Sequence, residues 1–212
     1  MSLADAGFDR VAAFYDPLAR LVFGDALRRA QQWALQALPA GRPRVLIIGG
    51  GTGWVLGEVL QRQPEARVLY LEASAVMLAK SRETLLRQHP QRAGQVEFRL
   101  GTEQALQATE SFDAIITFFF LDLFAPERLR AILSRLNQAR RPAAPWLVAD
   151  FRPARPLWQR GLLAAMYGFF RLTTGISGRQ MPDLGRELAA FGLRRQQQQL
   201  FFRGMVEGAV FG

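Results

Sequence analysis

The run Val45-Leu46-Ile47-Ile48 meets Gly49-Gly50-Gly51, and after Thr52 and Gly53 a helical pattern begins at Trp54. No other segment constrains the fold as much. A continuous apolar run of this length predicts a strand covered on both faces, as in a parallel sheet. Glycines let the chain reverse tightly, and let a ligand approach backbone N–H groups without meeting a Cβ. The start of the following helix adds positive potential, which suits an anionic group. A tight turn without a ligand accounts less well for four glycines in five positions.

Strands and helices alternate from there. Helical spacing covers 54–63, Val68 to Leu71 reads as a strand, and Ser74 caps a helix that runs to Gln88. Val96 to Leu100 and Phe112 to Phe118 read as strands. A helix over Pro126 to Arg140 has Pro in its first turn, and Trp146 to Asp150 is a fifth strand. Upstream, residues 4–38 read as two helices. Phe8, Val11, Ala12 and Tyr15 mark the first, Pro17 interrupts, and Phe23, Leu27, Ala30, Ala34 and Leu38 line the second. Downstream come helices over 156–171 and near 183–191. The strands Leu193 to Phe202 and Met205 to Phe211 then lie close enough around Gly204 for a hairpin.

This order predicts an α/β fold: a Rossmann-like three-layer αβα sandwich. Its seven-stranded, mostly parallel sheet ends in a C-terminal antiparallel strand pair. A chain of 212 residues without a long linker predicts one domain over 1–212. Within it, 1–40 form an N-terminal helical cap and 152–180 an insertion after strand five.

The glycine spacing selects the ligand. A dinucleotide fingerprint has glycine at positions one, three and six, but the sixth position here is Trp54. No Gly-Lys-Ser/Thr follows, which excludes a P-loop. Gly49, Gly51 and Gly53 fill positions one, three and five instead. Glu72 ends the second strand, 19 residues after Gly53. A carboxylate there can accept hydrogen bonds from both hydroxyls of a ribose. Loop and acid describe a nucleoside site at the carboxyl edge of the sheet. An acid serving only a ribose is expected to leave the ligand-free protein about equally stable when replaced by alanine.

Over nearly the whole chain the sequence resembles the class I S-adenosylmethionine-dependent methyltransferases that act on small molecules. Val45 to Gly53 resembles the family's first motif, and Leu71-Glu72-Ala73-Ser74-Ala75-Val76-Met77-Leu78 its second. Val96 to Glu103 stands where the adenine-binding segment belongs, and Phe112 to Thr117 resembles the strand-four motif. Phe8-Asp9-Arg10 and Phe14-Tyr15-Asp16 are similar to the family's N-terminal cap.

The resemblance implies S-adenosylmethionine as cofactor. It implies that Gly49, Gly50, Gly51, Thr52 and Gly53 approach the methionine moiety and that Glu72 holds the ribose. Ala73 and Met77 pack on the adenine, Thr102 and Glu103 flank its edge, and Thr117 and Phe118 face the sulfonium and the acceptor. Two positions depart from the pattern. An acid often stands two residues before the first glycine, where this chain has Ile47, so the loop lacks a polar anchor. The usual Asp of the adenine segment is Thr102, a weaker acceptor. Both departures imply weaker cofactor binding.

Methyl transfer from a sulfonium is an in-line displacement with a neutral leaving group, so alignment and desolvation dominate. A base is needed only where the acceptor keeps its proton. Strand four ends in Thr117-Phe118-Phe119-Phe120, without the Asn/Asp-Pro-Pro-Tyr/Phe segment of amine methylases. The aromatic triplet favours an apolar or aromatic small molecule, with core packing as the plainer explanation. Asp122 and Asp150, near the ends of strands four and five, are candidate bases or metal ligands, or else caps. Tyr15 and Tyr167 are candidates to orient the acceptor or the cofactor, and Tyr15, which matches the family's N-terminal cap, stands with Asp122 and Asp150 among the catalytic candidates. The insertion, with Tyr167 and Phe170 among its aromatics, reads equally as an acceptor lid or as a helix packed on the sheet. Phe118, Phe119, Tyr15, Tyr167 and Phe170 are thus the acceptor candidates.

Composition closes off other classes. The chain has no Cys and a single His, His89, which reads as a surface residue. Disulfides, thiolate metal sites and a cysteine nucleophile are excluded, and no metal site is expected. Net charge is +9, of which +6 falls in residues 151–212. No block of five like charges occurs, so solvated arginine is the reading and no nucleic-acid partner is expected. No apolar stretch reaches the ~18 residues that span a bilayer. No stable membrane association is expected, and the first residues lack a secretory pattern, which predicts a cytoplasmic location. Two alternatives stay open. One is an aminopropyltransferase-like enzyme, suggested by Ile47 to Gly51, though the acid after the glycines and a β-domain are missing. The other is a catalytically silent adenosylmethionine-binding or interaction module.

Overall fold

A computed structural model of the chain describes residues 23–152 and 182–212, with Gly161 between them. Seven strands form one sheet in the order β3-β2-β1-β4-β5-β7-β6. They are β1 (Arg44–Ile48), β2 (Arg67–Glu72), β3 (Val96–Leu100), β4 (Ala114–Phe118), β5 (Trp146–Phe151), β6 (Arg195–Phe201) and β7 (Val206–Phe211). The first five run parallel, and β7 is antiparallel to both β5 and β6. The expected architecture and its terminal antiparallel pair are therefore present.

Five α-helices are described: α1 (Ala26–Ala34), α2 (Trp54–Arg62), α3 (Ala75–Gln88), α4 (Pro126–Gln138) and α5 (Leu184–Ala189). Alternation along the strands sorts them into two layers. Val45, Ile47, Val68, Tyr70, Ile116 and Leu147 face one way, against Leu27 and Ala30 of α1, Val55 and Val59 of α2 and Leu85 of α3. Leu46, Ile48, Leu69, Ile115, Trp146 and Val148 face the other way, against Leu129, Ile132 and Leu136 of α4 and Leu184 and Leu188 of α5. Both faces are covered, which is why the strands read as continuous apolar runs.

Element ends differ from the sequence pattern for local reasons. Phe112 makes only an isolated bridge to Arg140, and β4 starts at Ala114. The Asp113 carboxylate accepts the Arg44 backbone N–H at 2.8 Å and takes the place of a ladder bond. Arg140 is drawn into that bridge, so α4 ends at Gln138. Between β6 and β7, Phe202, Arg203 and Gly204 all adopt positive φ, which turns the hairpin. The cap over residues 1–22 and most of the insertion, including Tyr15, Tyr167 and Phe170, lie outside the described residues. Among the described residues, no helix is long and apolar enough to cross a membrane.

Candidate functional site

The sequential order of strands reverses between β1 and β4, which are neighbours in the sheet. A crevice opens at the carboxyl ends of strands on either side of such a switch point, and ligands of open α/β sheets bind there. The loop Gly49–Gly53 leaves β1 on one side of this crevice, and Thr117–Phe120 leave β4 on the other.

The glycines have separate reasons to be glycine. A Cβ on Gly49 would lie 2.4 Å from the Phe120 ring, and one on Gly53 would lie 2.8 Å from the Ser81 Cα, with both residues at positive φ. Among the described residues, a Cβ on Gly51 would meet only the Met77 sulfur, at an ordinary contact distance of 4.0 Å. Gly51, at φ 62, is thus the loop residue turned toward a cradle. Trp54 opens α2 half-buried, and the Arg28 guanidinium of α1 lies over its ring at 5.1 Å.

Glu72 is buried at the end of β2. One of its oxygens accepts the Gly51 N–H at 3.1 Å and the other the Ser74 N–H at 3.0 Å. Ser74 in turn caps α3, its hydroxyl accepting the Met77 N–H at 3.1 Å. The acid, the loop and the helix that follows Ala73 and carries Met77 in its first turn are therefore one hydrogen-bonded unit. From the same strand, the Tyr70 hydroxyl donates to the Gly51 carbonyl at 3.0 Å. The loop does have a polar anchor, and it comes from β2, where the sequence places an ordinary strand aromatic.

Beyond β3, Thr102 caps a short turn, its hydroxyl accepting the Gln104 N–H at 3.4 Å. Glu103 is buried and grips Arg128 of α4 with both oxygens, at 2.6 and 2.7 Å. Nothing near Glu103 in sequence signals that partner, 25 positions away.

On the other wall, Thr117 is fully buried, and its hydroxyl accepts the Trp146 indole N–H at 2.9 Å. Phe118 is buried against α1 and α2, while Phe119 adopts φ 51, the left-handed region that side chains rarely enter. Its ring meets Phe151 at 5.3 Å, and Phe151 meets Phe23 at 5.2 Å. Asp122 and Asp150 are both buried at this edge. Burial, and then the neighbouring Asp122 carboxylate, push the Asp150 carboxyl well above the usual range. Among the described residues no group of three or more His, Cys, Asp or Glu is placed to hold a metal. An open groove of about 1070 Å³ lies at the opposite edge, lined by Arg42, Arg44 and Arg67 at the amino ends of the strands, far from the glycine loop.

Residues 46–144, just under half of the chain, match the family model described as Methyltransferase domain. No curated protein gives a significant match. Among solved structures, the mitomycin 7-O-methyltransferase MmcR is similar with a TM-score of 0.70 and 23% identity, over 96% of this chain and 60% of that one. An O-methyltransferase from neocarzinostatin biosynthesis, NcsB1, was solved with S-adenosylmethionine and 2-hydroxy-5-methyl naphthoic acid. It gives 0.63 and 17%, over 86% of this chain and 51% of that one. An O-methyltransferase family 2 protein from Planctomyces limnophilus, in complex with apigenin, gives 0.66 and 18%, over 86% and 55%. This chain spans about three fifths or less of those structures, and at such identities the likeness is one of fold.

Proposed function

We propose that this chain, whose residues 46–144 match a methyltransferase domain and whose fold is shared with O-methyltransferases, is a class I enzyme that transfers a methyl group from S-adenosylmethionine to a small aromatic or apolar acceptor. One observation carries the reading: Gly51 is held open toward a cradle, and the Glu72 carboxylate lies directly beside it. When bound, S-adenosylmethionine supplies a methyl group on a sulfonium, so that the departing thioether is neutral.

The residues present fit that group. In this reading the backbone of Gly49 to Gly53, with Thr52, receives the methionine end. Glu72 receives the ribose, and Ala73 and Met77 receive the adenine face. Thr102 faces the adenine edge. Glu103, its carboxylate committed to Arg128, contributes through its backbone. Thr117, tied to Trp146, stiffens the wall from within the sheet.

On the acceptor side, Phe119 at the end of β4 is the described candidate, with Phe118 behind it in the core; the sequence candidates Tyr15, Tyr167 and Phe170 lie outside the described residues. Their task is to align the acceptor and exclude water. The compounds in complex with the two O-methyltransferase structures, the naphthoic acid and apigenin, are aromatic hydroxyl compounds, which supports an aromatic acceptor here. A hydroxyl acceptor must lose a proton. We assign that proton to the Asp122–Asp150 pair, in which burial and the Asp122 charge raise the proton affinity of Asp150.

One observation favours a silent binding module as the second reading. Both Glu72 oxygens already accept backbone N–H groups, which is also what a purely structural acid would do. Turnover separates the two. The chain, incubated with methyl-labelled S-adenosylmethionine and a panel of naphthols and flavones, should label at least one acceptor. Asp122→Asn should slow that labelling without weakening cofactor binding. Cofactor binding with no labelled product from any acceptor pool would favour the silent module.

A further inference from the structure

We infer that Tyr70 is a positioning residue for the cofactor loop, clamping Gly51 jointly with Glu72 in place of a polar side chain at position 47. The cofactor half of this inference rests on the function proposed above.

Tyr70 is paired in register with Ile47 and is fully buried. A buried phenol hydroxyl is costly unless bonded, and phenylalanine would fill the same space without that cost. The hydroxyl is used on the Gly51 carbonyl. Glu72, two residues along β2 and so on the same face, takes the Gly51 N–H. One strand therefore holds both polar groups of a single loop residue, the one whose Cβ side is open. Ile47, 1% exposed, offers the loop no polar contact.

The same ring explains Gly50. A Cβ there would lie 2.5 Å from the Tyr70 hydroxyl oxygen and 2.6 Å from ring carbons Cε2 and Cζ. Gly50 does not share the positive φ of Gly49, Gly51 and Gly53. Its lack of a side chain is thus a steric demand of Tyr70. Ile47, Gly50 and Tyr70 form one interdependent set, in which the anchor comes from the neighbouring strand and the loop has no side chain at position 50 to obstruct it.

A tyrosine that merely satisfies its own hydroxyl would affect stability alone. Tyr70→Phe in the full chain distinguishes the cases, since the ring keeps its contact with Phe98 at 5.5 Å. Amide exchange in the ligand-free protein should accelerate at Gly51, Thr52 and Gly53. Calorimetry with S-adenosylhomocysteine should show a loss of affinity of about tenfold, the size expected for one net hydrogen bond. Gly50→Ala should lower Tm sharply in the parent and much less in a Tyr70→Val background, where the clashing ring is gone.

Unchanged loop exchange in Tyr70→Phe overturns the clamp. Faster exchange with unchanged affinity for S-adenosylhomocysteine overturns the cofactor half. A parent protein that binds no S-adenosylhomocysteine overturns the cofactor half together with the proposed function, and loop exchange alone then decides the clamp.

Discussion

Asp150, fully buried at the end of β5, lies beside Asp122, which follows β4, and two carboxyls share one desolvated site. The Asp150 carboxyl is held above its ordinary value of 3.8, first by burial and then by the Asp122 charge. An acid whose folded value is raised binds its proton more tightly in the folded state. Stability from this group is complete below about 3.8 and falls as pH rises through the folded value. Asp150→Asn keeps an oxygen for the Phe151 N–H and removes the ionisation. The variant should melt higher than the parent at pH 8, with the difference closing near pH 4. A pH series of melting curves checks this, and a variant less stable at pH 8 would contradict it.

Glu110 titrates in the opposite sense. The Arg99 side chain bonds both its oxygens, at 2.8 and 2.9 Å, and Arg44 and the Gln107 N–H add to the grip. Together these hold the carboxyl at about 2 against an ordinary 4.5. The stability this supplies is present above about 4.5 and is lost as pH falls toward 2. Glu110→Gln should lower Tm at pH 7 and lose its disadvantage by about pH 2. Equal melting of parent and variant at pH 7 would show the network to be inert.

Replacing Glu72 should cost more than ligand binding. The sequence alone casts this residue as a ribose acceptor, so its loss ought to spare the ligand-free protein. In the structure it is an acceptor for two backbone N–H groups. Glu72→Ala leaves both without a charged partner, a loss of about 1.5–3 kcal/mol in unfolding free energy. Chemical denaturation measures it, and an unchanged midpoint would mean that water replaces the carboxylate at no cost.

Two glycine substitutions separate packing from ligand space. Gly53→Ala drives a Cβ against the Ser81 backbone and should destabilise the fold severely. Gly51→Ala meets no close contact among the described residues and should cost only about 1–2 kcal/mol for a side chain in the left-handed region. Its methyl group would point into the cradle and weaken cofactor binding. Melting curves and calorimetry on the two variants should therefore rank in opposite order for stability and for binding relative to stability. Equal Tm losses would refute the distinction.

The fold was legible because its signals are local. The apolar run before Gly49, Ser74 ahead of α3 and Pro126 opening α4 each announce an element from a few adjacent residues. Glu72 stood out through its spacing from the loop. What could not be read depends on partners distant in the chain. Tyr70 looks like any strand aromatic until the sheet sets it beside Ile47, and Glu103 gives no sign of Arg128. The early end of α4 likewise depends on Phe112 capturing Arg140 from the neighbouring segment.

The cradle beside Gly51 and Glu72 is where the proposed function is tested most directly. Calorimetric titration of the full chain with S-adenosylhomocysteine, and in parallel with NAD, tests it. Saturable one-to-one binding of S-adenosylhomocysteine, abolished or strongly weakened by Gly51→Ala and absent with NAD, is the expected result. Saturable binding of NAD with no heat from S-adenosylhomocysteine would contradict the account.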